Sequence, residues 1–105
     1  MKLPCDECIW GLIPMIKREL VLKMSSAGLT NVTISKKLNI TKGAVTQYIQ
    51  GKRASDSAKL RKIKVVDAQI RQFSEKIATK DMNNKELANA FCLICKLAQK
   101  KTGIV

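Results

Sequence analysis

The sequence predicts an all-α domain. Apolar residues recur at three- and four-residue spacings through most of its 105 residues. No stretch alternates with the period-two pattern of a β-hairpin, and no internal repeat or low-complexity tract interrupts the chain. A chain of this length supports one domain, 1–105, with enough core to fold alone and little to spare. About five to six helices are expected in three blocks: N-terminal helices (1–28), a short helical pair (29–53) and C-terminal helices (55–101).

The elements follow in order. Pro4 can occupy the first turn of a helix carrying Cys5, Cys8, Ile9 and Leu12. Pro14 cannot sit in a helix interior, so the chain should bend or restart there. The next segment runs to about Ser26, with Met15, Ile16, Leu20, Val21 and Met24 inward and Lys17, Arg18 and Lys23 mostly outward. Gly28 closes it. Thr30 is then an N-cap, and Val32, Ile34 and Leu38 make a short inward stripe. Asn39 tolerates the left-handed backbone of a tight corner, Ile40 plugs that corner, and Thr41 is a second N-cap. The helix from Lys42 to Gln50 turns Ala44, Val45, Tyr48 and Ile49 inward, and Gly51 stops it. Residues 54–57 (ASDS) form a polar hinge and a helix start. Ile63, Val66, Ile70, Phe73 and Ile77 then repeat in a heptad-like stripe, which suits either intramolecular packing or a dimer seam. Asn83 or Asn84 caps the last helix, about 84–101, which carries Leu87, Phe91, Ile94, Leu97 and Ala98 inward.

Charge and composition narrow the function classes. The formal charge is +12. Residues 30–64 hold nine Lys or Arg against the single acid Asp56, a concentration suited to phosphate neutralisation. The sparse aromatics (Trp10, Tyr48, Phe73, Phe91) argue against single-strand or RNA modules built on stacking platforms. No apolar run is long enough to span a bilayer and no signal-peptide pattern opens the chain, so a cytoplasmic location is expected. The absence of histidine removes His-based acid–base catalysis, Ser-His and Cys-His nucleophile pairs and Cys₂His₂ zinc fingers. Asp6 and Glu7 sit at a helix N-terminus, where acids favour the dipole. No enzymatic activity is expected.

Residues 30–53, TNVTISKKLNITKGAVTQYIQGKR, therefore read as a helix-turn-helix with a basic exit. The run resembles the lambda-repressor-like (XRE-type) transcriptional regulators. It is especially similar to small archaeal members whose recognition segment ends in Tyr-x-x-Gly-Lys-Arg, here Tyr48, Gly51, Lys52 and Arg53. Leu3-Pro4-Cys5 and Ile13-Pro14 add to the likeness, which covers residues 3–53 and weakens beyond, the Cys92-x-x-Cys95 pair excepted. Ser35 stands where Ala is usual and Asn39 where Gly is usual. The resemblance implies a sequence-specific regulator bound to double-stranded DNA. Helix-turn-helix proteins usually bind two half-sites about one DNA turn apart, so a homodimer is expected. Lys42, Thr46, Gln47 and Gln50 would face base edges, with Gln47 and Lys42 the first candidates. Gln can pair with adenine N6 and N7, and Lys can donate to guanine O6 and N7. Lys36, Thr41, Lys52 and Arg53 would hold phosphates. An antitoxin-like helical adaptor that uses the heptad stripe to hold another protein is the competing reading.

Four cysteines complete the pattern. Cys5-x-x-Cys8 and Cys92-x-x-Cys95 each aim both sulfurs to one face of a helix. If the terminal helices pack side by side, all four converge and can hold a [4Fe–4S] cluster or zinc. A cluster would suit a redox- or iron-sensing regulator, its sulfurs shielded by Ile9, Trp10, Phe91, Leu93 and Ile94, whereas zinc would only stabilise the fold. Disulfides and ordinary buried thiols remain open as alternatives. The related archaeal proteins often keep the C-terminal pair, which favours a ligand role without naming the metal.

Overall fold

Leu12 opens a helix that carries Pro14 in its first turn, where the missing N–H is a donor with no intrahelical acceptor anyway. The computed structural model describes residues 12–102. They form α1 (Leu12–Ser26), α2 (Asn31–Leu38), α3 (Lys42–Ile49), a 3₁₀ segment (Ser55–Lys62), α4 (Lys64–Thr79) and α5 (Asn84–Thr102). No strand occurs among the described residues, so the all-α expectation holds. The two N-terminal cysteines and the helix expected around them lie outside the described residues.

α1 is the hub and packs against every other element. Ile16, Leu20, Val21 and Met24 lose essentially all contact with solvent, each contributing roughly 1.5–3 kcal/mol of burial. α2 and α3 pack on each other and on α1, while α4 and α5 pack on α1 and together. Phe73 and Phe91 meet edge to face across the α4–α5 contact, ring centroids 5.4 Å apart. The Cα radius of gyration, 12.5 Å, is close to the ~13 Å of a compact chain of about 100 residues.

Three helix ends share one device. Gly28, Asn39 and Gly51 all take left-handed backbone, with φ of 98°, 55° and 77°. After each, a paired backbone bond closes the helix: Leu29 N–H to Met24 O, Ile40 N–H to Ser35 O and Lys52 N–H to Gln47 O, at 2.9 to 3.1 Å. This is the Schellman closure, which satisfies carbonyls the helix itself leaves open. The N-termini are equally specific. Thr30 Oγ1 accepts from Thr33 N–H (3.2 Å) and Thr41 Oγ1 from Ala44 N–H (3.0 Å). At α5, Asn83 Oδ1 accepts from Glu86 N–H (2.8 Å) and the Glu86 carboxylate accepts from Asn83 N–H (3.3 Å), a reciprocal capping box.

Several expectations need correction. Val32 and Ile49 are 44% and 37% exposed rather than inward, because the eight-residue helices α2 and α3 have only one buried side each. Residues 55–62 are a 3₁₀ segment, not the start of an α-helix. In that geometry side chains three apart eclipse, and Ser57, Leu60 and Ile63 use the period to reach the core. The heptad-like stripe is a different case. Val66, Ile70, Phe73 and Ile77 are at most 6% exposed within the single chain, with Ile63 half-buried. These four residues pack within the molecule, the first of the two uses expected of the stripe.

Lys17, Arg18 and Lys23 are half-buried rather than outward. Arg18 Nε donates to Tyr48 O (2.9 Å) and its Nη1 to Ser57 Oγ (2.9 Å). Lys23 bridges to Asp67 at 2.9 Å. Between them lies Glu19, only 1% exposed. Its carboxylate accepts from Ser57 Oγ (2.8 Å) and from Arg61 Nε and Nη2 (2.8 and 3.1 Å). Burial pushes the Glu19 carboxyl up. The hydrogen bonds from Arg61 and Ser57, with the charges of Arg61 and Lys23, outweigh that and hold it below its usual range. This brace fastens the 3₁₀ segment to α1.

Candidate nucleic-acid interface

The connection between α2 and α3 is short, Asn39 to Thr41, and this corner is tied to the start of α5 and the link before it. Asn39 Nδ2 donates to Asn84 Oδ1 (2.9 Å), and Lys37 Nζ pairs with Asp81 at 3.2 Å. Behind this turn, Ile34, Leu38, Ala44, Val45 and Tyr48 are buried and fix α3 against α1 and α2. What α3 leaves outside is a continuous strip. Lys42, Gly43, Ile49 and Gln50 are exposed and Thr46 is half-buried. These positions are spaced i, i+1, i+4, i+7 and i+8, one face of an α-helix. Lys36, Thr41, Lys52 and Arg53 are exposed around it.

Gln47 departs from expectation. It is half-buried at the border of the strip, and its Oε1 is shielded from solvent with no hydrogen-bond partner. Bidentate pairing with adenine needs both the oxygen and the nitrogen of the amide, so Gln47 as it stands is not presented for it. Lys42 and Gln50, one turn to either side of Thr46, occupy the open face instead. The Thr46 hydroxyl donates to Lys42 O at 3.1 Å, which keeps it close to its own helix. Gly43 has room for a side chain, since an added Cβ would meet only Thr41 Oγ1, at 3.9 Å.

The electrostatics of this face are one-sided. Every ion pair among the described residues uses Glu19, Asp67 or Asp81 as its acid. None involves Lys36, Lys42, Lys52 or Arg53. The Arg53 guanidinium instead lies over the Tyr48 ring, 6.0 Å from its centroid. On α1, burial and the charge of Arg53 hold the Lys17 pKa below the ordinary lysine value.

No family model, curated protein or solved structure matches this chain. What the face can do therefore rests on its own residues: a helix with one open side, polar but for Ile49, ringed by cations that pair with no acid among the described residues.

On α5, Cys92 and Cys95 both lie on the buried side, 7% and 0% exposed. The Cys92 thiol is free. Cys95 is disulfide-bonded, and a sulfur in that state has no thiolate to give a metal. Cys5 and Cys8 lie outside the described residues, and among the described residues no group of three or more ligating side chains forms a metal site. Leu93, expected to shield the sulfurs, is 69% exposed. It borders a groove of about 200 Å³ lined by Phe73, Met82, Ala90 and Ile94, with Gln69, Gln72 and Lys76 on its α4 side. No helix among the described residues is long and apolar enough to cross a membrane.

Sequence reasoning missed Glu19, Arg61 and Lys17. Glu19 had a signal: it stands three residues after Ile16 and one before Leu20, on the apolar side of α1. A carboxylate there must find donors.

Proposed function

We propose that the chain is a sequence-specific double-stranded DNA-binding regulator that works by binding and not by catalysis. α2 and α3 act as a helix-turn-helix, and α3 enters the major groove. The observation that carries this reading is the unpaired cationic frame, Lys36, Lys42, Lys52 and Arg53, around the open polar side of a doubly capped short helix. Phosphates would compensate those charges, whereas no acid among the described residues pairs with them. Lys42 and Gln50 are the first candidates for base contacts. Gln47 would join them only by turning its amide outward, which would also relieve an unpaired buried oxygen worth about 1–3 kcal/mol.

Selection from a random duplex pool, followed by anisotropy titration at several salt concentrations, tests the reading. Gln50→Ala should lose about 1–3 kcal/mol of discrimination at one base position. Lys52→Ala should weaken all sequences alike and lower the salt slope by about 0.9. Absence of saturable duplex binding at low salt would overturn it.

Two copies are proposed to bind paired half-sites, meeting through a surface other than the α4 stripe. Cys5, Cys8, Cys92 and Cys95 are proposed ligands of a [4Fe–4S] cluster, or of zinc, in the reduced protein, where they would tie the chain's two ends. Anaerobic purification with iron, sulfide and zinc analysis decides among them. A metal-free protein with intact disulfide would assign the cysteines to covalent stabilisation. DNA affinity equal in both redox states would remove any sensing role.

A further inference from the structure

α3 ends where Lys52 and Arg53 begin, and a helix C-terminus is a poor place for an anion. Its open carbonyls carry the equivalent of about half a negative charge. The last turn of α3 uses its own backbone against part of this. Gln50 N–H bonds Thr46 O (2.9 Å), Lys52 N–H bonds Gln47 O (2.9 Å) and Gly51 N–H bonds Tyr48 O (3.2 Å). The Tyr48 carbonyl also takes a second donor, Arg18 Nε from α1, at 2.9 Å. That bond sets a positive charge on the negative end of the helix. Arg18 is half-buried and is held from its other end. Its Nη1 donates to Ser57 Oγ (2.9 Å), and that hydroxyl donates in turn to Glu19 Oε2 (2.8 Å). Ser57 is fully buried, and a hydroxyl fits between the two because it accepts and donates at once. The Tyr48 ring carries the next contact, since the Arg53 guanidinium lies 6.0 Å from its centroid.

We propose that Arg18 is a positioning residue for DNA binding. It fastens the exit of α3 to the brace around Glu19 and offsets the negative end of the helix, so that Lys52 and Arg53 can hold phosphates there. Arg18 itself touches no DNA. The inference deepens the function proposed above and rests on it. Its physical case is an unbroken series of contacts. One branch runs from Glu19 through Ser57 and Arg18 to the Tyr48 carbonyl. From Tyr48 the ring leads to Arg53, while Lys52 is tied to the same turn through its N–H. Arginine suits this place because its planar fork bonds two acceptors in fixed directions, which the single ammonium of lysine does not.

Arg18→Gln and Arg18→Lys test the role. Ile70→Val, which thins the buried core of α4, controls for lost stability alone. Where all variants are folded, Arg18→Gln should lose duplex affinity roughly two- to fivefold, alike for all sequences. Its salt slope should stay that of wild type, because no phosphate contact is removed. Arg18→Lys keeps the charge without the fork and should fall between the two. Ile70→Val should bind as wild type does. Amide hydrogen exchange at Gly51 and Lys52 should quicken in Arg18→Gln and not in Ile70→Val. Wild-type affinity in Arg18→Gln would overturn the positioning role. So would a slope shallower by about 0.9, which would make Arg18 a phosphate contact instead. Faster exchange at Gly51 and Lys52 in a protein that binds no duplex would keep Arg18 as the holder of this turn and discard the DNA reading.

Discussion

Gly43 puts a cost on α3 that the folded chain does not require. Its backbone is not left-handed and a Cβ would make only ordinary contact with Thr41 Oγ1, so Gly43→Ala should stabilise the free protein by about 0.5–1 kcal/mol in urea melts. It should also weaken duplex binding if the backbone of the first turn lies against DNA. A more stable variant with unchanged affinity would mean that the exposed strip does not bring Gly43 close to its ligand. Glu19 is the opposite case, a residue whose charge the fold needs. Glu19→Gln should cost about 1–3 kcal/mol, because the charge is lost and one of the two acceptor oxygens that serve Ser57 and Arg61 becomes an NH₂ donor; the figure stays well below that for a fully buried pair since the Arg61 side chain is half exposed. Its folded pKa is depressed, so its contribution is complete above the unfolded carboxyl value of about 4.5 and fades as pH falls through the lower folded value. Acid unfolding of Glu19→Gln should therefore be less steep than that of wild type below that pH.

At the scale of elements, the boundaries that could be read in the sequence were those set by backbone chemistry. Thr30, Thr41, Gly28, Asn39 and Gly51 each have a local reason to sit where they do, and each makes the cap or turn that its residue type favours. The inward stripes of α1, α4 and α5 were legible for a similar reason, since a long helix averages its pattern over several turns. The eight-residue helices gave too little pattern to tell Val32 and Ile49 from core. The 3₁₀ segment was hidden because its period of three is set by the Glu19 brace on α1, some 38 to 42 residues away. Nor could the pattern say whether the α4 stripe would meet its own chain or another. The open face of α3 was largely anticipated, but Gln47 was not: its position at the edge of the strip depends on how closely α3 packs. One strained point remains at this scale. Ala54 holds left-handed backbone, φ 51°, ahead of the 3₁₀ segment, and such a residue costs roughly 1–2 kcal/mol. Ala54→Gly should raise stability, by less than that because glycine also gains freedom in the unfolded chain. A lower urea midpoint would mean that the methyl of this half-buried residue contributes more by packing than its backbone costs.

For the molecule as a whole, a charge of +12 sets how copies of the chain can approach one another. Net repulsion opposes self-association at low ionic strength and is screened beyond about 10 Å at 0.1 M salt. With Val66, Ile70, Phe73 and Ile77 of α4 packed within the chain, a second copy needs a place where few charges meet. The groove beside Leu93 is such a place, because among the described residues its lining carries one charged side chain, Lys76. Leu93 stands 69% exposed at its edge, so knob and hollow lie on the same patch. A two-fold interface needs that self-complementarity, since each copy must offer what the other receives. Self-association should accordingly strengthen with salt in the free protein, and also on duplex DNA at low salt, where phosphates neutralise part of the cationic surface. Leu93→Asp should abolish both while leaving binding to an isolated half-site unchanged, as sedimentation and anisotropy would record. Wild type that stays monomeric at high salt, and binds a two-site duplex without cooperativity, would exclude the pairing and leave each α3 to act alone.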